Sequence, residues 1–157
     1  MTLKQQAERG GITLEMRLVA DYEGVTPETV RDGIAAGAIV LPKNGARKLA
    51  MPRGIGRGLS TKVNVNLGAS ALHCSPEEEL RKLDVAVRYG ADAVMDLSLG
   101  PRIADIRREV LAKSPLMVGT VPLYQTGFDL SSARRDFFSL TAGDFLATVE
   151  RQAQEGV

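Results

Sequence analysis

The chain has 157 residues, 44% hydrophobic and 25% charged, with a formal net charge of +1. This is the composition of one ordinary globular core, and the near-zero charge provides no global field to draw in nucleic acid or an anionic membrane. Cys74 is the only cysteine, which excludes an internal disulfide and any centre built from three or four cysteines, and fits a reducing compartment. The first residues, Met1-Thr-Leu-Lys-Gln-Gln6, lack the apolar core of a signal segment. No run approaches the roughly 18 apolar residues of a membrane span, so a cytoplasmic location is expected.

The first forty residues read as two short helices. Thr13 to Tyr22 places Leu14, Leu18 and Val19 on one side and stops at Gly24; Thr26 then caps a second helix, with Pro27 in its first position and Gly37 beyond its end. The stretch Val19 to Val30 has the cadence of a helix-turn-helix, but Glu28, Arg31 and Asp32 form a poor charge set for a phosphate backbone, so no nucleic-acid partner is expected. An apolar run, Ala38 to Leu41, ends at Pro42.

Residues 43 to 60 are rich in glycine, proline and basic residues and read as loop, with an ordered turn at Gly54-Ile-Gly-Arg-Gly58. Between Asp32 and Glu77 no acidic residue occurs, whereas Lys43, Arg47, Lys48, Arg53, Arg57 and Lys62 are all cationic. This stretch reads as a solvated basic loop, with a phosphate contact as the alternative. The glycine cluster is followed by a strand rather than a helix, which weakens the phosphate-loop reading.

From residue 61 onward the pattern is strand then helix, repeated. Val63, Val65 and Leu67 alternate with Lys62, Asn64 and Asn66; Ser75 caps a helix with Pro76 first and Leu80, Leu83 and Val87 along its apolar stripe. Ala93 to Leu97 forms the next strand, and Ile103, Ile106, Val110 and Leu111 mark the following helix. The third unit is expected to run as strand from Leu116 to Tyr124, with a looser stretch from Thr126 to Ser139. Thr141 and Asp144 cap a last helix with Leu146, Val149 and Ala153 facing inward. The expected fold is therefore α/β: residues 1–60 are a small helical segment and basic loop, and residues 61–157 are the first strand-helix units of an incomplete (β/α) barrel with parallel strands. A complete barrel takes about 250 residues.

Polar residues at barrel strand ends face the active site. Asn66 offers a donor and an acceptor suited to a heterocycle or a ribose hydroxyl, or else closes the turn into Gly68. Met95 by itself reads as a core filler, and Tyr124 as a core tyrosine with its hydroxyl at the surface. Asp96 and Ser98 lack a partner histidine and read as hydrogen bonders that shape the pocket, because His73, the only histidine, lies in a turn. His73 and Cys74 provide two donors, too few for a metal site.

Several of these segments carry a resemblance. Gly11-Ile-Thr-Leu-Glu-Met16, Leu41-Pro-Lys-Asn44, Glu77-Glu-Glu79, Gly90-Ala-Asp-Ala-Val-Met-Asp-Leu-Ser98, Val121-Pro-Leu-Tyr-Gln125 and Gln152-Ala-Gln-Glu-Gly156 resemble, in this order, the ThiC family of phosphomethylpyrimidine synthases of thiamine biosynthesis. The resemblance implies conversion of aminoimidazole ribotide to hydroxymethylpyrimidine phosphate by radical chemistry on S-adenosylmethionine. It also implies a 4Fe-4S cluster, a zinc site with histidine ligands and a homodimer for the complete family member. It makes Asn66, Met95 and Tyr124 substrate-binding residues. The cluster cysteines and metal-binding histidines have no counterpart here, so no cofactor is expected on this chain alone, which reads as an inactive, self-associating N-terminal portion. Leu99-Gly100-Pro101 and Asn44-Gly-Ala-Arg47 depart from the family pattern. The related hydroxybenzimidazole synthase and a non-catalytic binding fragment are the alternatives.

Overall fold

In the computed structural model of the protein, which describes every residue from Met1 to Val157, three helices rather than two open the chain. Helix α1 (Leu3–Glu8) begins at a reciprocal cap: the Thr2 hydroxyl accepts the Gln5 N–H while the Gln5 side chain accepts the Thr2 N–H. Helix α2 (Leu14–Glu23) starts at Thr13 and ends at Gly24 in the left-handed conformation, and α3 (Pro27–Ala35) follows the Thr26 cap. Strand β1 (Ile39–Val40) pairs antiparallel with β2 (Ile55–Gly56), a strand hidden in the basic loop. Met16, Val19, Ala20, Val30, Ile34, Ile39 and Leu41 form the core of this unit with Ala7. Leu14 and Leu18 are exposed, contrary to the stripe expected for them, because α2 turns its Met16, Val19 and Ala20 row inward.

The second part holds β3 (Asn64–Leu67), α4 (Pro76–Arg88), β4 (Ala93–Asp96), α5 (Ile103–Lys113) and β5 (Met117–Thr120). These strands form a parallel sheet in the order β3-β4-β5, open at both edges. In register, Asn64, Ala93 and Met117 lie side by side, as do Asn66, Met95 and Gly119. Alternation along a strand therefore separates two faces. Val65, Leu67, Val94 and Val118 face the core made with Leu83, Ala86, Ile106 and Val110 of α4 and α5. Asn64, Asn66, Ala93, Met95, Met117 and Gly119 line the other face.

The third unit departs from expectation. Its strand stops at Thr120, and Pro122 opens helix α6 (Pro122–Ser132). Proline fits a first helical position, where its fixed φ is helical and its missing N–H has no partner to lose. A short 3₁₀ turn (Phe137–Ser139) leads to α7 (Ala142–Glu155), which packs against α6. Leu146 and Val149 do not face inward: Leu146 is 62% exposed, whereas Thr148 and Gln152 are buried. The contacts of α7 explain this, since its inner side is polar. Thr120 donates to Gln152 and Arg107 to Glu155, each at 2.6 Å, while Arg151 donates to Asp129 at 2.7 Å from the exposed rim. No helix is long and apolar enough to cross a membrane.

Candidate functional site

The basic loop is spent on internal struts. Lys43 pairs with Glu15, and Lys62 with Glu23 at 2.6 Å with both side chains buried. Arg53 donates to Asp92 at 2.7 Å while its guanidinium lies 3.7 Å above the Tyr22 ring. Arg47 donates to the carbonyls of Ser114 and Leu116. Four of the six cations are thus held by other parts of the chain, which leaves Lys48 and Arg57 at the surface and corrects the picture of a freely solvated basic loop. The Glu15 carboxyl is held below its ordinary pKa by the Lys43 bond. Burial opposes ionisation of Glu23, yet Lys62 and Ser60 outweigh it and lower its pKa as well.

Asp92, just before β4, is the hub of this anchoring. One oxygen accepts from Arg53 and from the Tyr22 hydroxyl at 3.0 Å, and the other accepts the Val63 N–H at 2.8 Å. Burial pushes its pKa up, but these donors prevail and hold it below the ordinary value. Helix α2, the loop and the starts of β3 and β4 therefore meet at one carboxylate.

The face of the sheet turned away from α4 and α5 borders an open concavity of about 650 Å³, with Ala93, Met95, Met117 and Gly119 on the sheet side and Ile55 and Leu59 opposite. Met95 lies across Gly119: a Cβ at Gly119 would come 3.0 Å from the Met95 Cε and 3.1 Å from its Sδ. Asn66 is the register neighbour of Met95, exposed on the edge strand, and borders a second groove beside α4. Asn66 and Met95 are therefore neighbours in register that border different concavities. Tyr124 is not at a strand end but in the first turn of α6, exposed and donating its backbone N–H to the Val121 carbonyl.

Asp96 and Ser98 also sit differently from expectation. By alternation Asp96 points to the helix side of the sheet, where it is 4% exposed and accepts the Ser98 N–H at 2.9 Å. Burial raises its pKa. The Ser98 hydroxyl accepts the Ala69 N–H at 3.1 Å. Both residues brace the loops after β3 and β4 rather than line the concavity.

Two further groups escape the sequence reading. Glu79, buried in the first turn of α4, accepts the Gly68 N–H and pairs with Lys82, each at 2.6 Å. Its place four residues before Leu83, on the inward row of the helix, is the signal that marks it. Arg107, 1% exposed, bonds Glu155 and Gln125 but leaves its Nη2 without a partner. Nothing in the apolar reading of α5 announces it.

The relatives agree on a single family. Residues 2–157 match the model of the radical SAM ThiC family. The chain is similar to proteins named phosphomethylpyrimidine synthase from Thermoanaerobacter sp. strain X514 (46% identical over 157 residues), Thermus thermophilus (46% over 158) and Desulforamulus reducens (44% over 157). In each case all of this chain and 36% of the relative are covered, so the chain spans about a third of the length of these curated relatives. With a match over nearly every residue, the chain belongs to the radical SAM ThiC family.

Proposed function

We propose that this chain forms the first strand-helix units of a (β/α) barrel in a phosphomethylpyrimidine synthase of thiamine biosynthesis, and that the open face of β3, β4 and β5 is one wall of the site for aminoimidazole ribotide. Residues 1–60 are the unit that braces the foot of this wall, and residues 61–157 are the wall itself. The observation that carries the reading is the register pair Asn66 and Met95, neighbours across β3 and β4 near the ends of these strands. The Asn66 carboxamide supplies a donor and an acceptor to orient the substrate, the Met95 thioether supplies an apolar surface, and Tyr124 contributes from the start of α6.

The family's radical chemistry belongs to S-adenosylmethionine and an iron-sulfur cluster in the longer protein. The donor set here does not fit such a cluster, because Cys74 is the only thiol. No three His, Cys, Asp or Glu side chains come together as metal ligands, so the residues do not fit the family's zinc site either. Binding and orientation are the work we assign to this chain. We further propose a cytoplasmic setting and, for this chain on its own, association between copies through the sheet edges at β3 and β5, which offer unpaired backbone groups.

The test is a chimera in which this chain replaces the matching 36% of the Thermus thermophilus synthase. Formation of hydroxymethylpyrimidine phosphate from aminoimidazole ribotide supports the reading. A folded chimera that makes a benzimidazole instead, or no product, overturns it.

A further inference from the structure

We infer that Glu79 is a positioning residue that fixes the end of β3, and with it Asn66, relative to β4; this inference rests on the substrate role proposed for Asn66. Three glutamates open α4, and they do different things. Glu77 accepts from the Ser75 hydroxyl and Glu78 pairs with His73, both from the surface side, and together they complement the positive end of the helix. Glu79 adds nothing that this complementation needs, yet it is 2% exposed. A carboxylate is expensive to bury and persists only where bonds repay its lost water.

The bonds of Glu79 reach out of its own helix. Its Oε2 accepts the Gly68 N–H at 2.6 Å, the short separation of a charge-assisted bond, and its Oε1 is neutralised by Lys82. Gly68 directly follows the last residue of β3. Its φ of +153° and its closeness to the next strand leave no room for a side chain: a Cβ there would lie 2.8 Å from the Leu97 carbonyl carbon and 2.9 Å from the Ser98 nitrogen. Gly68 is thus held from the helix side by Glu79 and pressed against the backbone after β4 on the other. Leu97 and Leu99 donate to the carbonyls of Leu67 and Ala69, and Ser98 takes the Ala69 N–H, so the two strand ends form one braced unit. Asn66 lies two residues upstream of the anchored N–H, and Met95 two residues upstream of Leu97. Release of Gly68 loosens the spacing between the two side chains proposed to meet the substrate.

Reach and charge separate in two variants, made in the chimera with the Thermus thermophilus synthase. Glu79→Gln keeps an acceptor at the same distance, and Glu79→Asp keeps the charge but falls short of Gly68. The expected result is a KM for aminoimidazole ribotide within about threefold of the parent for Glu79→Gln and raised about tenfold for Glu79→Asp, with kcat changed far less. The Glu79→Asp effect is expected to vanish in an Asn66→Ala background, since the two residues act through one contact. Equal KM values for the two variants, or a Glu79→Asp effect that persists undiminished without the Asn66 carboxamide, overturn the positioning role alone. An Asn66→Ala variant with unchanged KM overturns the substrate role of Asn66 and the positioning role with it. Melting temperatures of each variant separate a loss of fold from a loss of position: KM changes that track melting temperature count against the inference.

Discussion

The two ends of the parallel sheet are built on opposite terms. At its foot, Asp92 is buried with a donor for each lone-pair direction it uses, namely Arg53, Tyr22 and the Val63 N–H, and the packing ties the N-terminal helices to the strands. At its tip, Asp96 is equally buried but answers mainly to the Ser98 N–H, Asn66 is left exposed, and Tyr124 stands half clear of the protein. The foot is fully hydrogen-bonded, whereas the tip leaves the polar side chains of Asn66 and Tyr124 exposed. Under the barrel reading proposed above, the strand C-termini are where chemistry is expected and the N-termini where stability is.

The strongest way to break this contrast is at the foot. Asp92→Ala strands a buried guanidinium and is expected to cost about 3–5 kcal/mol in a urea titration. A cost below about 1 kcal/mol would show that Asp92 is no hub. Leu83→Ala, in the core that both ends share, is expected to cost about 2–5 kcal/mol by the same measurement, since Leu83 is almost fully buried between sheet and helix. At the tip the effect moves from folding to binding. In the chimera, Asn66→Ala is expected to weaken aminoimidazole ribotide by about 1–3 kcal/mol while leaving the melting temperature unchanged, and unchanged binding by calorimetry would remove Asn66 from the site.

The smallest effect gives the sharpest contrast, because the two aspartates titrate with opposite sign. The pKa of Asp92 is lowered by folding, so its contribution is present above the unfolded value of about 3.9 and disappears as pH falls through the lower folded value. The pKa of Asp96 is raised, so its contribution is full below about 3.9 and is lost as pH rises through the higher folded value. Asp92→Asn should therefore grow more harmful as pH rises from acid to neutral. Asp96→Asn, whose side-chain oxygen still accepts the Ser98 N–H, should grow more favourable over the same range, ending within about 0.5 kcal/mol of the parent or above it. Parallel pH profiles for the two variants would erase the distinction between foot and tip.

Much of this is legible in the residues. Caps at Thr13, Thr26, Ser75 and Thr141 announce four helices, and each accepts the N–H that the motif requires. Alternation in Val63 to Leu67 shows which side of β3 meets helices. The failures have a common cause, which is that one local pattern fits two structures. Helix α1 is short enough that only its Thr2 and Gln5 cap betrays it, and Pro122 suits extended chain as well as the first helical position that it occupies, which puts Tyr124 in a helix instead of a strand. Spacing alone turns Leu146 and Val149 inward, although α7 docks through Thr148 and Gln152.

The sequence by itself determined most of the helices and strands, the order of those it marks and the family, since caps, periodicity and motif wording are properties of neighbouring residues. Only the tertiary structure decided which charges are spent internally, which of two helical faces is buried, and that Asn66 and Met95 are neighbours in register while Tyr124 lies on a helix. Those outcomes depend on partners distant in the chain: Asp92 meets Arg53 across 39 positions, and Arg107 meets Glu155 across 48. A side chain is buried or exposed according to what the fold packs against it, and no local pattern encodes that neighbour.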